Sequence, residues 1–482
     1  MPFRYDTLAD EIESKITTGV YKSGERLPSI RRLQATTGYS LTTVYRAFIE
    51  LEQRGLVSPR EKSGYFVKAR SGILPVPDVK HYRPRAQKVT INSLAGAIVE
   101  AMGDLSYLQL GGTLTAPGLL PVKALGNFLK AMPAKRIRDA FTTYEHPCGN
   151  PGLRHQLARR SVNLFQGVDA EEVIVTGGCI EAVSFCLRAV AGPGSTVIVA
   201  SPTYPWFLQI IEDLNMLALE LPTDPRTGID LDAMERAVSE HPVAACILVP
   251  NFHNPLGFLM PEDRKQRIVR FLNGKNIPVI EDDIHGELYF GGVRPSTLKS
   301  YDRKGLIMYC SSFSKMLAPG LRVGWTLPGR FRDAVRRLKL NHTIAAPSLN
   351  QQVIAEFMTG GAFDRHMRKL RSALKHQVSQ MTTAIAQAFP AGTRITSPMG
   401  GLMLWVELDP SVDGLAVFNA ARRERIAILP GIMCSTTGRY GNFIRISCGF
   451  PMDAAISRGI DTLGSIVSRM TAEAHHRVRQ RA

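Results

Sequence analysis

Apolar side chains at Leu8, Ile12 and Ile16 recur every four residues, which puts them on one helical face and predicts a helix from Tyr5 to Thr18, stopped by Gly19. A second helix is predicted to start near Pro28 and Ser29, with Ile30 and Leu33 as its buried pair and Gly38 as its break. Ser40 is a natural N-cap for a third helix in which Val44, Phe48 and Leu51 face inward and Gly55 ends the run. The period then changes from four to two: residues 56–67 alternate as two short strands around a basic, glycine-containing turn. Two helices, a tight turn, a third helix and a two-stranded wing make a winged helix-turn-helix, whose third helix can enter the major groove of DNA.

Residues 69–92 have no clear period, carry Pro75, Pro77 and Pro84 with five basic residues, and read as a linker whose charge suits a tether near DNA. From 93 to 475 helical stretches alternate with the apolar runs EEVIVTGG, STVIVASP, AACILVP, IPVIEDD and LIMYCSSFS. That alternation calls for an α/β domain on a mainly parallel sheet. The expected organisation is therefore a helical reader over 1–68, a linker over 69–92 and a large domain over 93–475.

Charge sharpens the reading of the first unit. The chain of 482 residues has a formal charge of +17, which favours polyanionic partners through counterion release. Residues 1–68 hold 11 basic and 8 acidic side chains, so the linker is the denser basic stretch. Thr42, Thr43, Tyr45 and Arg46 lie at or near the start of the third helix and are candidates for base or phosphate contact, with Arg31, Lys62 and Gly64 placed for phosphates or the minor groove. The competing reading makes the three helices a folding or dimerisation module, and we prefer the DNA reading. No apolar run approaches the roughly 20 residues needed to cross a bilayer, and the start MPFRYDTLADEIESK is not a secretory signal, so the cytoplasm is the expected compartment. The seven scattered cysteines show no metal-ligand spacing and read as free thiols, with no metal expected.

LPSIRRL, the S-x-T-T-V-x-R-A run from Ser40 and RGLVSPREKSGYFV give residues 1–68 a resemblance to the GntR family of winged helix-turn-helix regulators. Leu41 and Tyr45 stand where that family often has basic residues.

In the large domain the strand ends carry the chemistry, as expected where ligands gather at the carboxyl ends of an open sheet. TGGCIEAV can present the backbone N–H groups of Gly178, Cys179 and Ile180 to a phosphate at a helix start. Tyr204 in SPTYPWF offers a flat ring, and Asn254 in VPNFHNPLG offers a side-chain amide. VIEDDIHGEL buries acids that call for a cation. In CSSFSKMLAPGLRVGW, Lys315 follows Ser312 and Ser314 and precedes Arg322, and a lysine beside phosphate-binding hydroxyls can form a Schiff base.

In this order the five clusters resemble the fold type I, class I and II aminotransferases that use pyridoxal 5′-phosphate (PLP), over most of residues 95–470. The resemblance implies an α/β transferase domain with a smaller C-terminal α/β subdomain. It gives Lys315 the cofactor aldehyde and Asp282 the ring nitrogen, with Asp283 as the alternative; Asn254 would bond the 3-oxygen and Tyr204 would stack on the ring. Ser312, Ser314, Arg322 and the backbone after Gly178 would hold the phosphate, Tyr144 would serve the neighbouring subunit's phosphate, and Arg445 in NFIRISCGF would bind an amino-acid carboxylate. His285 replaces the usual tyrosine three residues after that aspartate. It can still donate to the 3-oxygen, but its lower pKa would alter the protonation of the lysine–cofactor link. Ile180 replaces a glutamine or serine often found in the phosphate loop.

Reader, basic linker and aminotransferase-like domain together resemble the MocR subfamily of bacterial regulators. That resemblance implies a homodimer, head-to-tail, which binds a double-stranded operator and senses an amine or amino acid through PLP. Two alternatives stand beside it: a working aminotransferase with an attached DNA module, and a regulator whose large domain is only a dimerisation scaffold.

Overall fold

The computed structural model describes residues 4–17, 20–21, 25–53, 56–60, 63–67, 74–104, 106–162, 164–165 and 167–481. The reader consists of α1 (Arg4–Thr17), α2 (Ile30–Thr37), α3 (Leu41–Gln53) and a wing of β1 (Val57–Arg60) and β2 (Gly64–Val67). Its local signals act as the sequence suggests. Ser29 caps α2 by accepting from the Arg32 amide (3.3 Å), and Gly38 closes it in the left-handed region at φ 69°, its N–H bonded to the Gln34 carbonyl. Leu8, Ile12, Ile16, Leu33, Val44, Phe48 and Leu51 form one core with Val57 and Val67 of the wing. The wing also gains what the periodicity did not reveal: Leu27 N–H bonds the Tyr65 carbonyl and Val67 N–H the Glu25 carbonyl, each at 2.9 Å, so the segment before α2 pairs with β2.

The described part of the linker lies along the large domain. The Pro75 carbonyl accepts from the Ile395 amide at 2.8 Å, Lys80 pairs with Glu407 at 3.0 Å, and the Tyr82 ring lies 3.5 Å beneath the Arg439 guanidinium. The chain then forms β3 (Ala86–Lys88), helix α4 (Asn92–Gly103) and β4 (Leu108–Gln109).

The large domain is built on nine strands: β3, β5 (Ile174–Thr176), β6 (Thr196–Ser201), β7 (Leu217–Asp224), β8 (Gly228–Ile229), β9 (Val243–Leu248), β10 (Val279–Asp282), β11 (Ile307–Ser312) and β12 (Gly324–Leu327). The order is β3-β7-β6-β9-β10-β11-β12-β5, with β8 hairpinned onto β7. β3, β8 and β12 run against the other six. The sheet is thus mainly parallel, and β6, β10 and β11 are buried along their whole length, which explains why they read as unbroken apolar runs rather than alternating ones. A smaller sheet in the order β13 (Arg394–Ile395), β14 (Met403–Glu407), β17 (Phe443–Ser447), β16 (Leu429–Pro430) forms the C-terminal subdomain, where β15 (Ile426–Ala427) pairs in parallel with β4.

Candidate functional site

β5, β6, β9, β10 and β11 point the same way, so the loops that follow them converge on one end of the sheet. There they enclose a cavity of about 220 Å³ whose lining includes Cys179, Ile180, Tyr204, Asn254, Asp282, His285, Ser312, Ser314, Lys315 and Arg322. Ten residues singled out from five separate motifs thus share one space. Gly178 borders it, Arg445 lies buried behind Asn254, and Tyr144 stands apart on a surface loop, 83% exposed.

Lys315 sits on the turn after β11. Its Nζ donates to the Thr113 carbonyl at 2.6 Å, and its own carbonyl accepts from the Thr115 hydroxyl at 2.8 Å. Burial and then the Arg445 charge lower its pKa to about 8, against the opposing pull of Asp282. A lysine so placed is a usable neutral nucleophile near neutral pH.

The run Glu281-Asp282-Asp283 divides its three carboxyls among three environments. Glu281 accepts from the amides of Leu298 (2.6 Å) and Lys299 (2.9 Å), and burial raises its pKa to about 8. Asp283 is fully occupied by Arg294 (2.6 Å), Asn251 (2.9 Å) and the Tyr309 hydroxyl (3.0 Å). Asp282 alone faces the cavity. Burial raises its pKa to about 6, while the Ile284 amide at 2.9 Å and the Cys179 thiol favour its charged form. The alternative role considered for Asp283 therefore disappears: its charge is already neutralised away from the cavity.

Opposite these groups lies an anion cradle. Gly178, at φ 126°, opens the helix Cys179–Val190, whose first amides point their partial positive charge into the cavity. Ser312 and Ser314 hydroxyls meet at 2.8 Å, Arg322 Nη1 reaches Ser314 Oγ at 3.3 Å, and Nη2 donates to the Gly177 carbonyl at 2.8 Å. A Cβ on Gly178 would lie 2.4 Å from Arg322 Nη2, and one on Gly324 would lie 2.5 Å from the Gly178 carbonyl carbon. The cradle exists only because both positions lack a side chain.

His285 and Tyr204 also line the cavity, and Arg445 lies behind Asn254. His285 is 1% exposed, and neither ring nitrogen has a hydrogen bond of good geometry; burial lowers its pKa to about 3, so the ring is neutral. Arg445 donates from Nη1 to Asn254 Oδ1 (2.8 Å) and from Nη2 to the Gly111 carbonyl (2.6 Å), leaving Nε without a partner. Tyr204 stacks beside Trp206, and burial raises its phenol to about 12. A dianionic phosphate, a ring nitrogen and an aldehyde on one planar molecule match the cradle, Asp282 and Lys315, so the donor set fits the cofactor that the resemblance implies.

Residues that the sequence reading did not single out also line the cavity: Thr113, Leu114, Phe207, Val249, Ile284 and Pro319. The signal nearest to them was the Gly111-Gly112 pair that opens the Thr113 segment, and it lies more than 200 residues from Lys315 in the chain.

On the reader, Arg31, Thr42, Tyr45, Arg46 and Gly64 are exposed, while Thr43 is half-buried and its hydroxyl meets Ser40 Oγ at 2.8 Å. Lys62 lies outside the described residues.

Comparison with known proteins places two families on the chain. Residues 4–67 match the bacterial regulatory proteins of the gntR family, and residues 120–461 match aminotransferase class I and II. The uncharacterized HTH-type transcriptional regulator YjiR of Escherichia coli is 35% identical over 97% of this chain and 99% of its own. YdcR of the same organism, described in the same words, is 34% identical over 96% and 99%. Among solved structures, kynurenine aminotransferase of Pyrococcus horikoshii, in complex with PMP, superposes with a TM-score of 0.72 at 26% identity over 78% of this chain and 94% of its own. The α-aminoadipate aminotransferase LysN of Thermus thermophilus, complexed with N-(5′-phosphopyridoxyl)-L-leucine, gives 0.72 at 26% identity over 80% and 100%.

Proposed function

Because the chain belongs to the GntR-type transcriptional regulators that carry a class I and II aminotransferase domain, the MocR architecture, we propose that it couples operator binding to an amine or amino acid held in the large domain. It is a DNA-binding transcriptional regulator, and the cofactor of its large domain is PLP. We assign the reader to 1–68, the linker to 69–92 and the large domain to 93–475, working in the cytoplasm as a head-to-tail homodimer.

The cofactor supplies an aldehyde that condenses with primary amines and a ring that withdraws electrons. The chain does the rest. The amides at the start of the helix Cys179–Val190, Ser312, Ser314 and Arg322 bind the phosphate. Asp282 would keep a proton on the ring nitrogen, the charge of that pair offsetting its burial. Lys315, neutral in useful fraction, would hold the cofactor through its aldehyde, where an incoming primary amine could compete for it. Asn254 and neutral His285 would bond the 3-oxygen, Tyr204 would stack on the ring, and Arg445, whose Nη atoms here hold Asn254 and the Gly111 carbonyl, would bind a carboxylate. Tyr144 sits on a loop pinned where Glu145 accepts from Asn150 (3.1 Å) and Ser348 (2.7 Å), and we assign it to the phosphate site of the second subunit. Thr42, Thr43, Tyr45 and Arg46 face the major groove in this reading, with Arg31, Lys62 and Gly64 at the backbone or minor groove.

The observation that carries the sensing role is Lys315: a desolvated amine facing an anion cradle, in a chain that begins with a DNA reader. The test is an absorption spectrum of the full chain with PLP before and after borohydride reduction, then operator binding with a panel of amines and amino acids. A reducible adduct at Lys315 and an operator affinity that moves with one ligand support the reading. Operator affinity indifferent to PLP and to every ligand overturns it. The complete set Lys315, Asp282, Asn254, Arg322 and Arg445 also sustains the alternative, an aminotransferase carrying a reader, and stoichiometric ketoacid in a single-turnover assay would decide for that.

A further inference from the structure

The helix α3 carries little charge for an element that meets DNA. Arg46 is its one basic residue, against Glu50 and Glu52, which leaves a net charge of −1, so attraction to phosphates does not by itself draw this helix into a groove. Basic side chains that can supply that attraction lie elsewhere: Arg26, Arg31 and Arg32, before and on α2, are all exposed. At the start of α3 the Ser40 and Thr43 hydroxyls bond each other at 2.8 Å, and Ser40 Oγ accepts from the Thr43 amide at 3.2 Å, so both groups are engaged at the helix end. The Arg46 guanidinium leans over the Tyr5 ring of α1, 6.0 Å from its centre. What the first two turns hold out to solvent is Leu41 and Tyr45, 51% and 48% exposed, with Thr42 beside them. Four residues apart, the two stand one above the other on the flank of α3 that leads to Phe48, whose ring stacks on Tyr65 of the wing at 4.6 Å. A single exposed leucine means little. Two large side chains aligned on the end of the helix that meets base edges have a defined partner.

We propose that Leu41 and Tyr45 are specificity-determining residues that read thymine, each burying the C5-methyl group of one thymine in the major groove of the operator. The inference rests on operator binding by the reader and names what the operator must contain. That methyl is the one apolar group a base pair presents in the major groove. Against a guanine or cytosine edge the same side chains would cover polar atoms without bonding them, which weakens binding. Selection therefore works in both directions, toward thymine and against G·C pairs. One helical turn separates the two side chains by about 6 Å, and base pairs rise by about 3.4 Å. The two thymines accordingly lie within about two base pairs of each other in the site that one reader occupies. Arginines on phosphates add affinity for every sequence, and Leu41 and Tyr45 add the discrimination.

The full-length chain, loaded with PLP, selects its operator from a random duplex pool, with and without the proteinogenic amino acids in the buffer. Each thymine of the enriched sequence is then replaced in turn by deoxyuridine, which lacks only the methyl group. Affinity is expected to fall about fourfold at each of two closely spaced positions, the effect of one buried methyl group. In Leu41→Ala the penalty disappears at one of these positions and in Tyr45→Ala at the other, while the slope of log K against log salt stays that of the parent. Cytosine and 5-methylcytosine compared at the same two positions read the methyl again with no change in the protein, and the methylated base binds about fourfold tighter. Deoxyuridine tolerated at every position overturns the assignment. So does a penalty that both variants retain in full, since another group then reads the methyl. Equal losses by the variants on thymine and deoxyuridine duplexes make Leu41 and Tyr45 a contact between protein chains and overturn it as well. A chain that enriches no sequence overturns operator reading and this inference together.

Discussion

At the scale of single residues, Lys315 and the neighbouring acids carry the argument. The lysine reacts only as the free amine, and its pKa is held near 8 by burial and by Arg445. The neutral fraction therefore climbs as pH rises toward 8 and levels off above it, well below the range of an exposed lysine. The rate of PLP capture, followed by absorbance, should rise through pH 7 to 8 and flatten by about 9; a rise that continues past pH 10 would mean that Lys315 is not the group titrating. Lys315→Ala should abolish the borohydride-stable adduct while leaving operator binding by the reader. Asp282 and Asp283 were indistinguishable in the sequence, since either ends the strand, and what separates them is Arg294, eleven residues on and folded back onto Asp283. Asp283→Ala strips Nη2 of that guanidinium, 13% exposed, of its carboxylate while Glu287 stays on Nε at 2.9 Å, and should cost about 3 kcal/mol in denaturant unfolding. Asp282→Asn should leave unfolding nearly unchanged and weaken cofactor capture instead. If the two substitutions exchange these effects, the assignment of the ring-nitrogen partner is reversed.

At the scale of elements, what was legible was what is local. Ser29, Gly38 and Ser40 mark helix ends because caps act within four residues, and the four-residue period of Leu8, Ile12 and Ile16 needs only a helix to become a face. The segment that joins the wing was not legible, because Glu25 and Leu27 pair with residues some forty positions on and carry no period of their own. The cradle falls between the two cases. Its glycines at 177 and 178 announced a helix start, but Gly324 gave no sign that it lies against Gly178 on the neighbouring strand. Gly324→Ala should push the helix start away from Arg322 and Ser314 and reduce PLP affinity at least tenfold, read by equilibrium titration, with the reader's operator affinity unaltered. On the reader, Arg31 is exposed on the first turn of α2. If it meets a phosphate, Arg31→Ala should weaken binding to all sequences alike and reduce the slope of log K against log salt by about 1. Loss of discrimination between operators with an unchanged salt slope would instead make it a base contact.

For the whole molecule, the question is how a ligand under one sheet can reach a reader at the other end of the chain, and the linker gives the physical answer. Its prolines and basic residues suggested a tether, and the sequence could not show otherwise, since β3 pairs with a strand about 130 residues away and Tyr82 meets Arg439 more than 350 residues on. Tyr82 lies beneath Arg439, which stands 3.8 Å from buried Glu220. Glu220 in turn accepts from Ser201 at 2.7 Å and from Ser435 at 2.6 Å, and Ser201 ends β6 three residues before Tyr204 in the cavity wall. The linker is thereby attached to the strand end that leads into the cavity wall. A conformational change in the cavity couples to DNA only if the attachment favours one arrangement over another. Tyr82→Ala removes the ring beneath Arg439 without touching the cavity lining or the reader. The expected result is an operator affinity close to that of the parent chain without ligand and an unchanged spectral response to the effector, with the effector-dependent change in operator affinity reduced toward none. Parallel titrations of spectrum and DNA binding check it. Should the variant keep its full effector response on DNA, the anchor at Tyr82 plays no part in coupling, and the signal must reach the reader by another contact.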